Sequence, residues 1–83
     1  MLPRVVEVKT NPGFQLELTF TSGEVGFYDC RPLLTFGVFR ELSEETYFRQ
    51  AHVFNGTVVW PHEQDICPDT LYLDSQRIGQ PAK

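Results

Sequence analysis

Long apolar runs are missing from this 83-residue chain: strictly apolar stretches such as Val58-Val59-Trp60 stop after a few residues, far short of the roughly 18 to 20 that cross a bilayer as a helix. No membrane crossing is expected. The opening Met1-Leu2-Pro3-Arg4-Val5-Val6-Glu7 lacks the basic stretch and continuous apolar segment of a secretory signal, so the expected address is the cytoplasm. Cysteine is scarce as well. Cys30 and Cys67 are the chain's two, whereas a small secreted domain that leans on disulfides usually carries roughly four or more, so both are read as thiols. Positive charge is in the minority: 7 Lys+Arg stand against 11 Asp+Glu, and between residues 61 and 76 the formal charges are Glu63, Asp65, Asp69 and Asp74. A duplex-binding surface needs clustered cations to replace condensed counterions, so direct nucleic-acid binding by this segment is not expected. No Gly-rich loop followed by Lys-Ser or Lys-Thr is present, which argues against nucleotide hydrolysis.

What the chain does have is enough apolar material for a core. Its hydrophobic fraction is 41% and its aromatic fraction 13%, ordinary values for a globular protein and unlike those of a disordered one. A chain this short buries only roughly 60 to 65% of its unfolded surface, so most large side chains are needed for packing and few are left for chemistry.

Arg4 to Lys9 alternates and is rich in β-branched residues, which predicts a first strand ended by the turn residues Asn11-Pro12-Gly13. Phe14, Leu16, Leu18 and Phe20 then take every second position against Gln15, Glu17, Thr19 and Thr21, and Ser22-Gly23 returns the chain into Glu24 to Cys30. Residues 14 to 30 are therefore expected to form a hairpin with one apolar face. Leu33, Leu34, Phe36, Phe39 and Leu42 suit a short helix or turns around Gly37, and Ser43 is an N-cap candidate for a turn of helix whose inward face is Tyr47, Phe48 and Ala51. Ala51 to Phe54 and Thr57 to Trp60 flank Asn55-Gly56, the pair suited to a type I′ turn, so a second hairpin is expected, stopped by Pro61. Pro68 suits the first position of a helical turn reaching Tyr72. From Ser75 onward there is no packing pattern. The expected fold is α+β: a small antiparallel sheet of four to five strands built from two hairpins with one or two short helices, residues 1–74 forming one domain and 75–83 a flexible tail or linker.

Among the aromatics, Phe14, Phe20, Phe27 and Phe48 are expected inside. Trp60, Tyr47 and Tyr72 suit either the core or an interface, each pairing a large apolar body with a polar handle. His62, Asp65 and Cys67 invite a metal or nucleophile reading. However, a structural metal site usually has four ligands with paired spacing, the chain has no CxxC or HxxxH pair, and nothing fixes a cysteine beside a histidine, so no metal, cofactor or catalytic residue is expected. The plainer reading has Asp65 capping backbone N–H groups after Pro61, His62 exposed and Cys67 filling a small apolar space. Asp65, Asp69 and Asp74 are close in sequence, but no substrate cleft is indicated for paired-carboxylate chemistry. An uncovered edge of the second hairpin would offer backbone groups for self-association or peptide addition.

The string from Val58-Val59-Trp60-Pro61 through Asp65 to Pro68-Asp69-Thr70-Leu71-Tyr72 resembles the bacterial family known as domain of unknown function 2442, whose members commonly show a Trp-Pro, an Asp a few residues on and a Pro-x-x-Leu-Tyr ending. Pro3-Arg4-Val5-Val6, Phe14 to Leu18, Ser22-Gly23-Glu24, Asp29, Leu33-Leu34, Phe39, Leu42 and Phe48 fit as well, so the likeness covers about residues 3 to 73. It implies a small α+β domain that occurs alone or, in longer relatives, ahead of a helix-turn-helix module, with no established activity and no catalytic residue to carry over. The implied role is that of a regulatory or accessory module binding a protein or a second copy of itself. Trp60, Pro61, Asp65, Asp69 and Tyr72 are the candidate binding residues, although the signature also suits a purely structural job around the reversal at Pro61. The alternative is a small-ligand sensor or minor enzyme using the acidic turn around His62, Asp65 and Cys67.

Overall fold

A computed structural model describes residues 2–78. In chain order the elements are β1 (Val5–Asn11), β2 (Gln15–Phe20), β3 (Val25–Asp29), two 3₁₀ segments (Arg31–Leu33 and Gly37–Ser43), α1 (Glu45–Phe48), β4 (His52–Phe54), β5 (Thr57–Val59), β6 (Asp65–Ile66), α2 (Pro68–Asp74) and β7 (Gln76–Ile78). The α+β class stands, with more strands than the four to five expected. A four-stranded antiparallel sheet has the order β1-β2-β3-β7 and a three-stranded one the order β4-β5-β6.

Local chemistry accounts for the two predicted hairpins. Phe20 donates its N–H to Glu24 and Gly23 donates to Phe20, at 2.9 and 2.8 Å, and Gly23 supplies the left-handed φ of +89° that a three-residue return requires. Asn55 and Gly56 have φ of +54° and +77°, the pair of positive values that a type I′ turn needs. That turn is clasped by the first strand: Val5 N–H donates to the Gly56 carbonyl at 2.9 Å, and the Arg4 guanidinium donates to the Asn55 carbonyl at 3.3 Å.

The core lies between the inner face of the four-stranded sheet and everything that follows it. Leu16, Leu18 and Phe20 of β2 and Tyr28 of β3 meet Leu42, Phe48, Val58, Trp60, Ile66 and Leu71. Phe14 adopts a left-handed φ of +62° and sets its ring edge-on to Phe48, with centroids 5.3 Å apart. Such a backbone conformation costs a non-glycine residue about 1 kcal/mol, which an edge-to-face aromatic pair offsets.

Several expectations are corrected by this packing. Phe27 faces away from the core and Tyr28 takes the inward position, because Leu16 pairs with Tyr28 and Glu17 with Phe27 across the β2–β3 ladder. Ser43 ends the second 3₁₀ segment, its hydroxyl donating to the Arg40 carbonyl at 2.8 Å; the N-cap of α1 is Glu44, which makes no side-chain cap bond. Cys67 is exposed, and the buried cysteine is Cys30; both are free thiols. Ser75 to Ile78, expected to begin a tail, instead hold Ser75 buried and Gln76–Ile78 paired with β3. The rest of the expected tail, residues 79–83, lies outside the described residues.

The approach of β7 is close. A Cβ on Gly26 would stand 2.7 Å from the Ser75 hydroxyl oxygen and 3.1 Å from its Cβ. Gly26→Ala therefore destabilises the chain by about 1–3 kcal/mol through overpacking, read as a lower urea midpoint with an unchanged slope. Burial pushes the Cys30 thiol up to about 12, with Asp29 adding to the effect. Iodoacetamide at pH 8 is expected to label Cys67 on the native protein and Cys30 only once urea unfolds it, as mass spectrometry of the digested chain would show.

Candidate functional site

The signature segment is organised by one hairpin turn. Trp60 N–H donates to the Gln64 carbonyl and Glu63 N–H to the Trp60 carbonyl, both at 3.0 Å, and Glu63 takes the left-handed corner at φ +75°. Pro61 occupies a turn position and is exposed. Trp60 is only 1% exposed. Its indole N–H donates to the Phe48 carbonyl at 2.9 Å, as a buried indole must.

A polar knot holds this turn against the helical segment. The Tyr47 hydroxyl donates to Gln64 Oε1 at 2.6 Å and accepts the His62 N–H at 2.9 Å. Gln64 is buried, and its amide nitrogen donates to the Val38 carbonyl and to Glu41 Oε1 at 3.0 and 2.9 Å. His62 Nδ1 lies 2.7 Å from the other Glu41 oxygen. Asp65, expected to cap this turn, is exposed, and its carboxylate makes no hydrogen bond among the described residues. Tyr47 and Gln64 do the work instead, and a glutamine in a charged turn gives no sequence signal of burial.

The remaining candidates are spread apart. Asp69 is exposed in the first turn of α2. Tyr72 is half-buried, its ring edge-on to Phe20 at 5.0 Å and its hydroxyl donating to Glu24 Oε1 at 2.7 Å, a bond that pushes its phenol pKa up. The Arg77 guanidinium lies 4.0 Å above the Tyr72 ring centroid and 3.5 Å from Glu24. No hydrogen bond or ring contact joins Trp60, Pro61, Asp65, Asp69 and Tyr72 to one another among the described residues. His62 partners Glu41 while Cys67 is exposed, and no group of three or more His, Cys, Asp or Glu is placed to hold a metal ion among the described residues.

A concavity that the sequence did not reveal lies elsewhere, on the outer face of the four-stranded sheet. Directly paired residues share a face, so the pairs Gln15–Asp29, Glu17–Phe27 and Phe27–Gln76 put these side chains opposite the core. Gln15, Phe27, Asp29 and Gln76, with Pro12, Gly13, Arg31 and Asp74, line an open cavity of about 530 Å³, within the size range of ligand sites. Arg31 is committed to Asp29: its Nε and Nη2 donate to the carboxylate at 2.9 to 3.2 Å, and these bonds hold the Asp29 carboxyl below its ordinary range. Asp74 is exposed at the end of α2, close enough to add to the upward shift that burial imposes on Tyr28. The one available sequence signal was the doubled aromatic Phe27-Tyr28, which in an alternating strand must place one ring outward.

Tyr47→Phe is expected to cost about 1–3 kcal/mol, since it strands the His62 N–H and one Gln64 bond. Asp65→Asn should stay within about 0.5 kcal/mol of the parent. Urea denaturation of both variants checks this, and the reverse order would return the capping role to Asp65.

Among the described residues, no helix is long and apolar enough to cross a membrane. No curated protein and no solved structure matches this chain. A family model described as "Protein of unknown function (DUF2442)" matches residues 5–76, so it takes in β1, both hairpins, the Trp60 turn, α2 and the first residue of β7. The chain belongs to the DUF2442 family.

Proposed function

We propose that this chain is a protein-interaction domain, an accessory or regulatory module of the bacterial cytoplasm that engages its partner through the outer face of the four-stranded sheet. The observation carrying this reading is Phe27, a large ring held outside the core within an open cavity of about 530 Å³. Phe27 is half-buried there and outside the core cluster, and an aromatic side chain in a surface concavity is the kind of anchor on which interfaces depend. Two free thiols support a reducing compartment, and the resemblance to modules that precede a helix-turn-helix reader supports a regulatory setting. In this reading Trp60 and Tyr72 serve the fold, and the exposed Pro61, Asp65 and Asp69 lie apart from the contact face. The sensor or enzyme alternative draws no support from the geometry around His62, whose imidazole is engaged with Glu41.

A photo-crosslinking phenylalanine analogue at Gln76 should capture a defined protein or a second copy of the chain, and the same probe at His52 should not. The captured pair should then re-form from purified components. A monomeric mass in solution, with no adduct from position 76, would count decisively against the reading.

A further inference from the structure

Resting on that reading, we infer that the cavity around Phe27 receives the guanidinium or ammonium end of a basic side chain from the partner. Its charges select for a cation. The cavity's one positive group, Arg31, is tied to Asp29 by the three bonds from Nε and Nη2 at 2.9 to 3.2 Å, so it has little attraction left for an anion. The Asp74 carboxylate forms no hydrogen bond or ion pair among the described residues. The Gln76 side-chain amide likewise has no hydrogen-bond partner there and offers its carbonyl to an incoming N–H. Across the ladder from Phe27 stands Glu17, whose own cross-strand neighbour Lys9 offsets its charge, so Asp74 is the carboxylate that leaves the cavity negative. An aromatic ring flanked by a carboxylate and a carbonyl acceptor is a site for an organic cation, which gains from the ring's negative face and from charge-assisted bonds together.

The molecule already uses this chemistry within itself. Arg77 lies 4.0 Å above the Tyr72 ring with Glu24 at 3.5 Å, the same trio of guanidinium, ring and carboxylate. The Phe27 ring and the Asp74 carboxylate line one cavity, and with Arg31 held by Asp29 the cation is to be supplied from outside. The chain's net charge of −4 steers a basic partner towards it over longer range.

Titration of the full-length ¹⁵N-labelled chain with a short arginine-containing peptide tests this, against the same peptide carrying citrulline, which keeps the shape and loses the charge. The arginine peptide is expected to shift the amides of Phe27, Asp29, Asp74 and Gln76, and the citrulline peptide to leave them in place. Asp74→Asn and Phe27→Leu should each weaken the response by about two- to fivefold, with circular dichroism unchanged. Equal response to citrulline, shifts confined to another surface, or indifference to both variants would overturn the inference. Free spermidine or arginine amide binding more tightly than the peptide would overturn a protein source for the cation. The captured complex separates the two levels: a complex that forms with undiminished affinity in Asp74→Asn removes this inference and leaves the interaction reading intact, whereas no complex at all removes the reading itself.

Discussion

Phe48 ties the second sheet to the first from one turn of helix, beside the clasp of Arg4 and Val5 on the Asn55-Gly56 turn. Its ring meets Phe14 of the β1–β2 turn and its carbonyl accepts the indole N–H of Trp60, which follows β5. Burying Trp60 is favourable only if that N–H is satisfied, because an unpaired donor in the interior costs about 1–3 kcal/mol. One turn of helix therefore carries both an apolar and a polar obligation. Tyr47, its neighbour, extends the arrangement by bonding Gln64 and the His62 backbone. Without this short helix the Trp60 indole would lack its acceptor, and the Trp-Pro turn would lose the Tyr47 bonds that hold it against the helical segment.

This division of labour explains why the family signature and the proposed contact face are different places. Of the residues that identify the chain in sequence, Trp60 and Leu71 are spent inside, where packing is close, and Tyr72 is half-buried, while Pro61, Asp65 and Asp69 stand exposed away from that face. The outer sheet face carries looser demands. Its side chains need only be compatible with a strand, so ring, amide and carboxylate groups stand there without unsettling the core.

Legibility in the sequence followed the strength of local physics. The β2–β3 hairpin was readable because five or so alternations and a Ser-Gly return agree with one another, and Asn55-Gly56 was readable because few other residues tolerate two positive φ values in a row. β6 and β7 were not, being two and three residues long. Segments so short contain no period, and they become strands only because β5 and β3 present open edges to them. Phe27 and Tyr28 were assigned in the wrong phase because both residues suit a strand, and only the ladder decides which one turns inward. Gln64 was invisible for a related reason: its partner Tyr47 is 17 residues away. The cavity was beyond reach for the same cause in stronger form, since its lining comes from the β1–β2 turn, three strands, a 3₁₀ turn and the end of a helix.

The Arg4 clasp on the Asn55-Gly56 turn bears on how the molecule assembles. The bond spans 51 positions in sequence, so a chain emerging from the ribosome can complete its first three strands well before the turn that Arg4 is to grip has been made. Contacts of such wide separation close late, because the entropy of the intervening loop must be lost before they contribute anything. The meander is then the template on which the second hairpin condenses, and the nascent chain's first strand spends that interval with its starting edge uncapped.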